Sequence, residues 1–184
     1  MSKNKYNAQG VYWNCNERRE PTHKELSHYL SLGKYQRTKV NDIVYFASRF
    51  ELELYLELIG IFGFNYVIHQ YSIPLFPEGR CYPRGRNWTI DFAIKKPREK
   101  SLLMLVESKG YPTEAFLSNL ATLEAVDPLL FSKLTIVFRS DIPNFLILQN
   151  LRETNDHHRF GKVLTLSEFK EKYYTNRRKN NESA

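Results

Sequence analysis

Cysteine is almost missing from this chain: Cys15 and Cys81 are the only two among 184 residues. They stand in no metal-ligand spacing and read as unpaired thiols of a reducing, cytoplasmic compartment rather than as a disulfide framework. No run approaches the roughly 20 apolar residues that a membrane helix needs, and the opening MSKNKYNAQG has no apolar signal core, so no membrane partner is expected. No internal repeat is visible. His23, His28 and the pair His157-His158 lack ligand partners at useful spacing and read as ordinary polar positions. Acids are outnumbered, 20 against 27 Lys and Arg, leaving a net charge of +7. Such an excess favours a polyanionic partner, nucleic acid first, although basic domains are not always nucleic-acid binders.

What remains is 42% hydrophobic and 14% aromatic, enough for one domain with a real core. Residues 1–45 read as a polar arm, with Tyr12 and Trp13 as its large anchors, followed by a short helix. Thr22 and Glu25 form that helix's capping box, and Gly33 ends it. A basic segment with Lys34, Arg37 and Lys39 follows, then a short strand at Ile43 to Phe46. Ser48 opens the longest helix, SRFELELYLELIGIFGF, apolar over most of its circumference and therefore expected against a sheet. Glu51 sits three residues after Ser48, the spacing of a capping-box glutamate. Tyr66 to Leu75 reads as a strand, and Lys133 to Phe138 as another between two helices. A last short strand near Lys162 precedes a final helix, LSEFKEKYY, and residues 171–184 form a basic then polar tail whose stretch TNRRKNNESA is expected to be disordered.

Residues 86–111, RNWTIDFAIKKPREKSLLMLVESKGY, are two apolar strands joined by a charged turn. With the turn centred near Glu99, Asp91 falls across from Glu107, and Thr89 across from Lys109. Period-two alternation then brings Asp91, Glu107 and Lys109 out on one face. Neighbouring carboxylates repel and a sheet interior penalises each, so a cation is expected between them. Lys109 neutralising one acid in a buried salt-bridge cluster is the plainer alternative. Upstream, FPEGRCYPRGRNW interleaves Arg80, Arg84 and Arg86 with Tyr82 and Trp88. That mixture suits a loop laid on nucleic acid, with Lys95, Lys96 and Arg98 extending the basic set, but it also suits an inert surface.

The order is helix, three strands, helix, strand, helix, with LLMLVE apolar on both faces as buried strands are. The arrangement resembles the PD-(D/E)XK nuclease superfamily. The signature is carried by Ser48-Arg49-Phe50-Glu51 on the helix, Gln70 on the first strand, Ile90-Asp91-Phe92 on the second and Glu107-Ser108-Lys109-Gly110 on the third. Ile90 stands where the name-giving proline would be. SRFELELYLEL, HQYSIPL and VESKGYPTEAF are similar to phage-type and Holliday-junction-resolvase-like nucleases, to end-cleaving nuclease subunits of some transposons, and to intron-borne homing endonucleases.

The resemblance implies an α/β restriction-endonuclease-like core over residues 46–170, a central mixed sheet of order αβββαβ flanked by helices. It implies a DNA endonuclease using Mg²⁺, with Mn²⁺ as a substitute. Asp91, Glu107 and the Ser108 carbonyl would hold the ion, and Glu51 would complete the acidic pocket. Lys109 would orient the attacking water or steady transition-state charge, and Gln70 would position it. Site-specific, homing-type cutting of duplex DNA by a homodimer or homotetramer is the first expectation. Resolution of branched DNA is the second, and an RNA-directed member is not excluded. A noncatalytic nucleic-acid-binding module on a nuclease core is the alternative of another class.

Overall fold

The computed structural model describes residues 10–33, 37, 42–97, 99, 101–153 and 162–182. Arg98, Lys34, Lys39 and the pair His157-His158 lie outside the described residues. The chain divides into two compact units, residues 1–53 and 54–184.

In the first unit, β1 (Val11–Asn14) pairs antiparallel with β2 (Ile43–Phe46), Val11 opposite Phe46. The arm thus contributes a strand that its polar surroundings did not announce. Asn14 turns the chain out of β1 by accepting the N–H groups of Asn16 and Glu17 on its side-chain oxygen. Helix α1 (His23–Ser31) begins at the expected Thr22–Glu25 capping box, which satisfies two of the N–H groups that a helix start leaves unpaired.

Helix α2 (Arg49–Phe62) opens in the first unit and runs into the second. There, a five-stranded sheet has the order β3 (Val67–Phe76), β4 (Arg86–Lys95), β5 (Leu102–Lys109), β6 (Leu134–Phe138) and β7 (Lys162–Thr165). The first three strands run antiparallel to their neighbours, while β5, β6 and β7 are parallel. Parallel pairing requires a helical crossover, supplied by α3 (Glu114–Val126) with the one-turn α4 (Pro128–Phe131), then by α5 (Leu146–Glu153). Helix α6 (Leu166–Glu182) closes the chain and carries the expected disordered tail into helix as far as Glu182. The second unit is therefore a mixed α/β layer structure. Among the described residues no helix is long and apolar enough to cross a membrane.

One face of the sheet packs Ile73, Leu75, Trp88, Ile90, Ala93 and Leu105 against Phe116, Leu120 and Leu123 of α3 and Leu148 and Leu151 of α5. The α3 residues recur with the spacing of a single helical stripe. Thr113 caps that helix by accepting the Phe116 N–H. On the opposite face Phe92 stacks with Tyr55 of α2, and Tyr173 of α6 lies against Phe62 and donates its hydroxyl to the Met104 sulfur at 3.2 Å. Glu57 ties α2 to α6 through Lys170 and the Tyr174 hydroxyl.

Candidate functional site

β4 and β5 pair as the turn position predicted: Phe92 faces Val106, Ala93 faces Leu105 and Ile94 faces Met104. Continuing that register brings Asp91 level with Glu107. Beyond Phe92 the strands are joined by side chains bonding to backbone. The Asp91 N–H donates to Glu107 Oε2 at 3.1 Å. The Ser108 N–H and hydroxyl donate to Asp91 Oδ2 at 2.8 and 2.5 Å. Ser108, expected to offer its carbonyl, thus also enters the site as the double donor that fixes Asp91.

Lys109 completes the cluster. Its ammonium meets Glu107 Oε1 at 2.5 Å and lies 4.9 Å over the ring of Phe116, so Glu107 and Lys109 share the face covered by α3. Glu107 is 2% exposed. Burial first, then the charge of Asp91, push its carboxyl up to about 7, although Lys109 and the Asp91 N–H pull the other way. Two carboxylates and one lysine leave the site one positive charge short, and the Asp91 charge adds to burial in raising Glu107.

The donors are hard carboxylate oxygens, each with two lone pairs, whose surplus negative charge an added cation would neutralise. Mg²⁺ keeps several waters and asks for one or two carboxylates, which Asp91 and Glu107 provide. Among the described residues no group of three or more His, Cys, Asp and Glu side chains could hold a metal ion.

The expected third acid, Glu51, makes the bonds of a helix cap. Its N–H donates to Ser48 Oγ at 3.0 Å, and its carboxylate accepts the Ala47 N–H at 2.7 Å. The Ser48–Glu51 spacing therefore makes a helix cap, with the return bond reaching one residue further back than in the standard box. Gln70 stands in β3 on the step opposite Asp91, between the pairs His69–Phe92 and Tyr71–Ile90.

The basic set divides. Arg80 and Arg84 are exposed on the loop between β3 and β4, at the end of the sheet where Lys109 terminates β5. That loop is pinned: the Tyr82 carbonyl accepts from Gly79 and Gly85, each at 2.9 Å, and the Tyr82 ring stacks on Phe76. Gly85 has φ +66, and an added Cβ would meet the Phe76 carbonyl at 2.9 Å. Arg86 is half-buried and donates to Asn119 of α3. Trp88 corrects an expectation: it is 6% exposed and packs edge-on against Phe116, so its ring belongs to the core rather than to a nucleic-acid contact. Lys95 and Lys96 lie at the opposite end of β4, where Lys96 pairs with Glu99. Tyr111, which sequence reading passed over, is 47% exposed two residues beyond Lys109, its ring edge-on to Phe145. An aromatic directly after E-S-K-G was the signal that could have found it.

No protein-family model, curated protein or solved structure matches this chain.

Proposed function

We propose that this protein is a Mg²⁺-dependent DNA endonuclease with a restriction-endonuclease-like core of the PD-(D/E)XK type. The observation that carries the reading is the joining of Asp91 to Glu107 across β4 and β5, with Lys109 on the Glu107 carboxylate and Ser108 fixing Asp91. Strand order supports it as well: three antiparallel strands followed by a parallel crossover put the acid, the second acid and the lysine on adjacent central strands.

Asp91 and Glu107 would hold the ion. When bound, Mg²⁺ supplies a Lewis acid for the phosphoryl oxygens and lowers the pKa of a bound water. Ser108 keeps Asp91 aimed, so the acid does not reorganise when substrate arrives. Lys109 presents its ammonium beside Glu107, where it orients the attacking water or steadies charge growing on the phosphorane oxygens. Arg80 and Arg84 engage phosphates, and Tyr111 offers a ring to base or sugar at the same end of the sheet. One such site per chain calls for a dimer or tetramer to cut both strands of a duplex. Site-specific cutting of duplex DNA is our first reading within the class and junction resolution the second.

One observation favours a noncatalytic binding module instead. Among the described residues no buried side-chain nitrogen or oxygen lacks a hydrogen-bond partner, so the cluster could serve as structural ion pairing. Offering a supercoiled plasmid, a synthetic four-way junction and a structured RNA side by side, with Mg²⁺ and with EDTA, separates the readings. Mg²⁺-dependent cutting of either DNA supports the endonuclease and ranks its substrates. Tight binding of DNA without cutting supports the module.

A further inference from the structure

The ladder between β3 and β4 keeps one register on both sides of a single step, the one that sets Gln70 opposite Asp91. The faces do not follow it. In β3, Tyr71, Ile73 and Leu75 pack on the core under α3, as period two requires, yet Ile68 packs there too, although three residues separate it from Tyr71. His69, next to Ile68, lies with Phe92 and Tyr55 on the other face. In β4 the same change occurs: Trp88 and Ile90 share the α3 face with Ala93, while Phe92 faces Tyr55. Each strand has therefore gained one residue at this step, Gln70 in β3 and Asp91 in β4. The two insertions cancel in register and leave the pairing on either side intact.

Gln70 makes the insertion possible, because its φ is +56, a left-handed conformation that non-glycine residues adopt rarely and only when their surroundings enforce it. Single-residue insertions in paired strands re-aim side chains and collect beside functional sites. The side chain re-aimed here is Asp91. Regular alternation carried from Phe92 and Ala93 would send it to the α3 face with Leu105 and Glu107, away from the Ser108 hydroxyl. With the insertion, its carboxylate lies across the seam on the N–H and hydroxyl of Ser108, and its own N–H reaches Glu107.

We infer that Gln70 is a positioning residue that acts through its left-handed backbone, not its amide: it holds the paired insertion that turns Asp91 onto Ser108 and Glu107. The inference deepens the nuclease reading, in which Asp91 is a site acid, but its geometry stands apart from any activity. Gly and Asn can fill such a position, and a β-branched residue cannot without straightening the strand.

The test is amide hydrogen exchange at Ser108, whose N–H the Asp91 carboxylate accepts, with Leu105 in the regular ladder as internal control. Wild type, Gln70→Gly, Gln70→Asn and Gln70→Val are compared, with Asp91→Ala as the reference for a lost acceptor. We expect Gln70→Gly and Gln70→Asn to protect Ser108 as wild type does. Gln70→Val should exchange there tenfold or more faster, at the Asp91→Ala rate, with Leu105 unchanged. Should Gln70→Val not fold, Gln70→Ala replaces it, with a smaller acceleration expected. On a DNA substrate that wild type cuts, Gln70→Val loses kcat. Wild-type protection of Ser108 in Gln70→Val, or its loss in Gln70→Gly, overturns the inference. Because the exchange experiment needs neither metal nor DNA, its failure is distinct from a failure to cut.

Discussion

Asp91 and Glu107 are bound to each other through the backbone: the N–H of the first donates to Oε2 of the second at 3.1 Å, while the Asp91 carboxylate rests on Ser108. Neither acid can be moved without disturbing the other. The two acids are thereby held in place by the strands themselves.

Stability should depend on pH through Glu107. Its carboxyl is raised from 4.5 to about 7 in the folded protein, so the folded state keeps this proton to higher pH than the unfolded chain does. The group's contribution is therefore fully present below pH 4.5 and is lost as pH rises through about 7. The full loss is of order 3 kcal/mol, at about 1.4 kcal/mol per pH unit. Urea midpoints measured without metal should fall between pH 5 and pH 8 in wild type more than in Glu107→Gln, and Mg²⁺ should restore part of the loss at pH 8. Identical pH profiles for the two proteins would count against the buried acid pair.

Removing the Lys109 ammonium leaves Glu107 buried beside Asp91 without its counter-ion. Lys109→Met should cost about 3 kcal/mol above pH 7 and much less near pH 5, where Glu107 takes up a proton. The same variant should abolish cutting while DNA affinity, read by fluorescence anisotropy, changes little.

Ser108→Ala deletes the 2.5 Å hydroxyl bond to Asp91 but keeps the N–H bond. A hydrogen bond to a charged acceptor is worth about 2 kcal/mol, and the calorimetric affinity for Mn²⁺ should drop roughly tenfold, in the range seen when a ligand loses its supporting bond. An unchanged affinity would remove Ser108 from the site.

Glu51 offers a contrast, since its bonds to Ala47 and Ser48 are those of a cap. Glu51→Gln should destabilise by about 1 kcal/mol and leave Mn²⁺ affinity as it is. A large loss of affinity would return Glu51 to the metal site.

The basic residues should sort by position. Arg80→Ala and Arg84→Ala each remove a charge beside the Lys109 end of the sheet, and each should lower the salt dependence of DNA binding by about one counterion. Lys95→Ala, at the far end of β4, should leave that slope unchanged. Trp88→Ala should instead lower stability by about 3 kcal/mol or more, as emptying a core ring site does.

Much of this was legible in the amino acids. The charged turn around Glu99 was enough to set the register that pairs Phe92 with Val106, because a short turn between two apolar strands leaves little choice. The Thr22–Glu25 cap and the strand and helix order of the second unit followed from side-chain patterns that act locally. What escaped depended on partners distant in sequence. β1 has four residues, and its partner β2 begins at Ile43, so no local pattern marks it. Trp88 among arginines looks the same whether the strand turns it inward or outward, and only Phe116 decides. The face change at Gln70 and Asp91 defeats period-two reasoning because two insertions cancel and leave no trace in the register.

The most direct measurement is the rate of Mg²⁺-dependent DNA cutting by wild type, Asp91→Ala and Lys109→Ala, on supercoiled plasmid and on a four-way junction, with EDTA controls. The account predicts cutting by wild type that EDTA stops and that both substitutions abolish, with DNA binding retained. Cutting by Asp91→Ala at the wild-type rate would contradict it.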